Sequence, residues 1–180
     1  MRLALREQLL AAMFAGVIAV SAQIVIPLGF IPLSLQTFTV GLTATLLGRR
    51  TGSWAISLYL LLGFIGLPVF AGGKSGIGVL FGPTGGYLIG YLLASLLIGS
   101  LLKKGAWSYW YVIVINFLGF ILALIIGSFW LSAVANLTIT QGFASGFLPF
   151  LLPEMIKAVG VGMLAVWLKR RLPEKYFYFV

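Results

Sequence analysis

Residues 63–91, GFIGLPVFAGGKSGIGVLFGPTGGYLIGY, hold ten of the chain's 23 glycines, two of its seven prolines and a single charge, Lys74. Long apolar runs flank this stretch on both sides. Of the 180 residues, 61% are hydrophobic and 8% charged, and the mean hydropathy is +1.13. A soluble domain carries charge on about a quarter of its residues. The chain therefore reads as an integral membrane protein. Backbone polar groups at membrane depth must be satisfied, so a glycine-rich break there is tolerated only when buried in protein or lining a cavity. The stretch is expected to form the floor or lid of a binding site.

An apolar span needs about 20 residues, so some six spans with short loops fit the length, as one all-α transmembrane bundle over residues 1–180. The first segment is expected to stay as a helix, because no small-residue cleavage site is followed by a polar mature domain. Cysteine and histidine are both absent. That removes thiolate and imidazole from any metal site, nucleophile or proton relay, and no cofactor is expected. The net charge of +9 does not point to nucleic acid, since the cations sit in short clusters between apolar runs.

Span one is expected from about Leu3 to Val25, with Ala11, Ala15 and Ala19 at every fourth position and Ala12 and Gly16 beside them. Small residues at that spacing let another helix approach closely in lipid, and packing within the bundle is the simpler use for them. The IPLGFIPLSLQT segment reads as a connection, since Pro27 and Pro32 disfavour helix. Span two has only Gln36 to Leu47 before Arg49 and Arg50, roughly 18 Å at 1.5 Å per residue. The connection must supply the missing depth, dipping into the membrane to line an outer cavity. Spans three to six are expected at Ser53–Gly66, Pro83–Leu102, Trp107–Ala135 and from Leu152 to Lys169, with residues 136–145 as a polar outer loop. Arg2, Arg6, Arg49, Arg50, Lys103, Lys104, Lys169, Arg170, Arg171 and Lys175 then fall on one side, leaving Lys74 and Lys157 for the other. The positive-inside rule makes both termini cytoplasmic.

Gly73-Lys74-Ser75 resembles the tail of a phosphate-binding loop, but Pro68 stands where that pattern needs glycine. The glycosylation sequon Asn136-Leu137-Thr138 is too short to carry weight. Glu154 and Lys157 are the informative pair, sharing one helix face after Pro149 and Pro153. A charge at the centre of a span costs about 2.5–3.5 kcal/mol, so such groups face the interior and mark a site. A structural ion pair or a snorkelling lysine is the plainer alternative. Gln36, Lys74, Tyr87, Asn116 and Asn136 are further polar groups that could converge there, though packing or a loop is the commoner use of each taken singly. An outward cavity of this kind suits a small, partly apolar solute.

Four strings resemble one family: residues 32–37 (PLSLQT), 66–73 (GLPVFAGG), 82–88 (GPTGGYL), and Pro153-Glu154 with Lys157. The chain resembles the S components of energy-coupling-factor (ECF) transporters, and within them the biotin-specific BioY proteins. The family's usual Pro-Gly-Asp before the last span is here Leu152-Pro153-Glu154, which keeps the carboxylate one methylene longer and loses the glycine. The resemblance implies a membrane subunit that captures biotin and works with a transmembrane coupling protein and two cytoplasmic ATPases in a prokaryotic plasma membrane. It implies that Glu154 accepts from the ureido ring, Lys157 donates to its carbonyl, Lys74 meets the carboxylate, and Gln36, Asn116 and Tyr87 fill the remaining polar contacts. It also implies that the Ala11, Ala15, Ala19 face docks on the coupling protein.

Two other functions compete. An intramembrane enzyme would need paired carboxylates or an activated nucleophile, and with Glu7, Glu154 and Glu174 as the only acids no such constellation assembles. A self-sufficient secondary transporter using Glu154 as a proton site is the standing alternative.

Overall fold

The computed structural model describes residues 4–102 and 107–171. Arg2, Lys103, Lys104, Glu174 and Lys175, used above for topology and acid counting, lie outside them. The described chain runs α1 (Leu5–Ser21), β1 (Val25–Ile26), β2 (Leu33–Ser34), α2 (Gln36–Phe64), a 3-10 turn at Ala71–Gly73, α3 (Ile77–Leu80), α4 (Gly85–Leu101), α5 (Tyr109–Val134), α6 (Ile139–Gly146) and α7 (Leu148–Arg171). The protein is all-α apart from one short ribbon.

Its surface is that of a membrane protein. Ala15, Ala44, Ala94, Ala158 and Ala165 are at most 1% exposed, whereas Leu5, Met13 and Trp110 are 72%, 66% and 79% exposed. Large apolar side chains outside and small ones between helices are what lipid as solvent selects. Helices α5 and α7 are long and apolar enough to cross a membrane, with mean hydropathy 2.6 and 1.6 over 18 residues, and α4 is apolar but shorter.

The helix α2 is two arms joined at Gly48, whose φ of 71° and ψ of −176° suit glycine alone. A straight helix would hold Gln36 and Tyr59 about 34 Å apart. Instead the Gln36 amide donates to the Tyr59 hydroxyl, so the chain reverses at Gly48, between the spans expected there. The tip packs on α4 so closely that a Cβ at Gly99 would meet Arg49 Cα at 2.4 Å.

Helices α4 and α5 approach through glycine. A Cβ at Gly86 would lie 2.2 Å from Trp130 Cβ, and one at Gly90 would lie 2.8 Å from Ala123 Cα. Gly86 and Gly90 are four apart on one face, the small-xxx-small spacing that lets backbones come together in lipid.

Several boundaries differ from expectation. Residues 136–145 are not simply a loop: α6 forms there because Thr138 and Gln141 make a reciprocal capping box. Helix α7 starts at Leu148 rather than Leu152, which places Pro153 inside it. Proline there forfeits only the bond to the Pro149 carbonyl, still close to the helix start. Pro83 precedes the cap Thr84 of α4 instead of opening the helix. The connection after α1 forms an antiparallel ribbon pairing Val25 with Ser34 and Ile26 with Leu33, and it turns through Gly29 at φ 63°.

On α1, Ala11 is 4% exposed beside Leu47 and Ala55, and Ala15 is 0% exposed in the main core, where Ala19 also packs. Ala11 and Ala15 are thus packed within the bundle, with Ala19 half-buried beside them. Ala12 and Gly16, beside them on the helix, are exposed.

Candidate functional site: two chambers sharing a wall

The ribbon lies over the bundle and lines two adjacent chambers, both walled by Ile31, Pro32, Tyr87 and Tyr91. The first, with about 20 Å³ of free room, adds Ser34, Thr37, Phe120, Phe150, Glu154 and Lys157. The second, with about 30 Å³, adds Gln36, Phe70, Ala71, Lys74 and Thr84. Their walls are mostly apolar with few polar groups, the lining of a small-molecule site, but the room free within them holds only a water or two, so a ligand enters only as the walls part.

In the first chamber Lys157 Nζ donates to Glu154 Oε1 at 2.7 Å and to Thr37 Oγ1 at 2.8 Å. The Thr37 hydroxyl in turn donates to the same Oε1 at 2.9 Å. All of the acid's bonds therefore fall on one oxygen. Glu154 is 2% exposed, and its other oxygen, Oε2, is buried without a partner. Leaving a buried charged acceptor unpaired costs more than the ~1–3 kcal/mol of a neutral group, so this atom demands a donor. An ammonium has three donors, and Lys157 uses two of them in the triangle. The site thus presents one acceptor and one donor side by side. The sequence placed Glu154 and Lys157 together; it missed Thr37, which joins them across helices.

Gln36 is 3% exposed, accepting from Ser34 Oγ at 2.7 Å and donating to Tyr59. Tyr59 meets Phe70 edge-on, with ring centroids 5.7 Å apart. Lys74 is exposed at the rim of the second chamber. Tyr87 gives its ring to both chambers, but its hydroxyl is engaged elsewhere, donating to the Gly146 carbonyl at 2.8 Å and so fastening α6 to α4. Asn116 lines neither chamber. Fully buried, it donates to Thr45 Oγ1 and the Val112 carbonyl, both at 2.9 Å, and ties α5 to the first arm of α2. Asn136, at φ 52°, follows the cap of α5. Tyr91, lining both chambers, was missed although it sits four residues after Tyr87, on the same helix face. Among the described residues no group of three or more acids could hold a metal ion.

The model of the BioY family matches residues 1–174. The chain belongs to the BioY family. It is 44% identical over 170 residues to the biotin transporter BioY2 of Lactococcus lactis subsp. cremoris, covering 94% of this chain and 93% of that one. With the biotin transporter BioY of Thermotoga maritima it shares 42% over 172 residues, covering 95% of this chain and all of that one (100%). Its fold matches a crystal structure of the S-component for biotin from an ECF-type ABC transporter at TM-score 0.86 and 31% identity, over 96% of this chain and 95% of that one. BioY membership thus covers both chambers and every helix that walls them.

Proposed function

We propose that this BioY protein captures biotin from outside the cell in the paired chambers and passes it inward with an ECF coupling module. The observation that carries the reading is the unpartnered Glu154 Oε2 beside Lys157 in the wall of the first chamber. Biotin's ureido ring offers N–H donors and one carbonyl acceptor. Glu154 Oε2 accepts from an N–H, the remaining Lys157 N–H donates to the carbonyl, and Tyr91, Phe120 and Phe150 enclose the apolar ring. The valeryl chain passes Tyr87 into the second chamber, where Lys74 at the rim meets the carboxylate and Gln36 supplies a polar wall. Asn116 acts from behind, holding Phe120's helix. The named relatives, biotin transporters matched over 93% and 100% of their length, support this ligand.

Six spans follow if α1, the two arms of α2, α4, α5 and α7 all cross, with the ribbon and the segment before α4 completing the short ones. Arg6, Arg49, Arg50, Lys169, Arg170 and Arg171 then face the cytoplasm of a multi-pass cell-membrane protein, with both termini on that side. A transmembrane coupling protein and two ATPases complete the transporter, meeting the outward face of α1 at Ala12 and Gly16. The role is capture and delivery, not catalysis.

Glu154→Gln keeps size but sets a donor against the ligand's donors. A hydrogen bond to a charged group contributes about 1.5–3 kcal/mol, so biotin affinity measured by calorimetry should fall roughly ten- to a hundredfold. The double variant Glu154→Leu/Lys157→Met should fold, since buried ion pairs are replaceable by apolar residues, and fail to bind. Near-native affinity in that variant overturns the site. Uptake in cells lacking the coupling module separates an ECF subunit, which stays inactive, from a self-sufficient transporter.

A further inference from the structure

We propose that the groove between α5 and α7, at the end of α7 that carries Lys169–Arg171, holds an anionic phospholipid. This groove shares no lining residue with either chamber and offers about 810 Å³ of open, apolar space. Tyr109 and Trp110 at the start of α5 line it, with Met163 and Trp167 on α7. Val159 and Gly160 line its other end. From Val159 to Trp167 it runs about 12 Å along the helix, room for much of one acyl chain.

What selects the occupant is the chemistry at one end. The Arg170 guanidinium lies 4.9 Å from the Tyr109 ring centroid, and that of Arg171 lies 5.7 Å from the Trp167 centroid. Two of the groove's own rings therefore carry guanidinium groups over their faces. Stacking of this kind orients the planar fork while leaving its edge N–H groups for an anion. Neither arginine meets an acid among the described residues. Exposed tryptophans (Trp110 79%, Trp167 51%) mark this end as one that sits at a membrane–water interface. A phosphodiester accepts two parallel N–H bonds from a guanidinium, and its tails belong in an apolar groove open to the bilayer. A second copy is a poor fit, because a twofold contact would bring the same arginines of both chains together.

The test is native mass spectrometry of the full chain in neutral detergent, with dioleoyl phosphatidylglycerol or dioleoyl phosphatidylcholine as probes. With about one unit of surface attraction for each of two cations, phosphatidylglycerol should be retained roughly thirtyfold better. Arg170→Gln/Arg171→Gln should bring the ratio near one. Arg170→Lys/Arg171→Lys should keep part of the preference, since charge remains and the stacked fork is lost. Met163→Trp fills the groove from an exposed position and should expel both lipids. Unfolding midpoints of the lipid-free variants should match the parent, as all three side chains lie outside the core. Equal retention of the two lipids by the parent, or a preference unchanged by the glutamine pair or by Met163→Trp, overturns the proposal. A lipid-free dimer in place of lipid adducts overturns it as well.

Discussion

Thr37→Val removes a single hydroxyl while nearly keeping the shape of the side chain. That hydroxyl donates to Glu154 Oε1 at 2.9 Å and accepts from Lys157 Nζ at 2.8 Å, so two hydrogen bonds to charged partners are lost together. Bonds to ions contribute about 1.5–3 kcal/mol each, but hydrogen bonds between membrane helices average only ~0.6, with a maximum near 1.7. Lys157 and Glu154 stay in contact at 2.7 Å without Thr37 and compensate in part. The membrane range therefore governs, and a loss of about 1.5 kcal/mol is expected, a fall of roughly 3–6 °C in unfolding midpoint for a chain of this size. Binding should suffer as well. Freed from Thr37, Oε1 and Nζ no longer fix where Oε2 and the third N–H point, and biotin affinity should fall about tenfold. Thr37→Ser retains the hydroxyl and should restore both quantities. Calorimetry and thermal unfolding in the same detergent measure them. If the valine variant binds and unfolds like the parent, Thr37 does not position the pair; if only stability falls, its role is structural.

Two further outcomes check the architecture. Ala15→Leu, at a fully buried position, should lower the unfolding midpoint, whereas Ala12→Leu on the exposed face should leave folding and biotin binding intact and abolish coupled uptake; the reverse pattern would return Ala15 to the docking surface. The chain has no cysteine, so single replacements report topology directly: Ser75→Cys should react with an impermeant maleimide added outside intact cells, and Arg50→Cys should not.

Much of this was legible because lipid makes charge expensive. With so few acids and amines in the apolar runs, Glu154 and Lys157 stood out by scarcity, and folding joins them in one chamber wall; Arg49 with Arg50 likewise marked the reversal at Gly48. What escaped was made of common residues whose meaning is tertiary. Thr37 reads as one threonine among several until α7 is folded against it. Asn116 ran the other way: a lone amide in α5 looked like a ligand contact, and folding gives it Thr45 and a carbonyl instead. The ribbon pairs only two residues per strand, too few for a period to show. Helix α6 needs Gly142, where a Cβ would stand 1.8 Å from Ser132 Oγ, a constraint invisible without α5 beside it.

The two chambers differ in how firmly their walls are held, and the difference lies in the glycine stretch. The first is walled largely by long helices and closed by an ion pair. The second borrows Phe70, Ala71 and Lys74 from a segment with positive φ at Gly66, Gly72, Gly73 and Gly76. That segment is tied back by the Gly72 N–H to the Ala22 carbonyl at 3.1 Å and the Gly76 N–H to the Gly63 carbonyl at 2.7 Å. Its deepest anchor is Phe70, 1% exposed, whose ring lies edge-on to Tyr59 and where a Cβ at Gly63 would stand at 2.1 Å. Displacing the backbone of this segment from the chamber therefore means drawing Phe70 out from between Tyr59 and Gly63, against an edge-to-face contact of about 0.5–1.5 kcal/mol. Tyr59 is itself held by Gln36, which faces the second chamber. A ligand group bonding Gln36 acts on the residue that holds Tyr59, and through Tyr59 on Phe70, so occupancy of the chamber and closure of the glycine segment share one short chain of contacts.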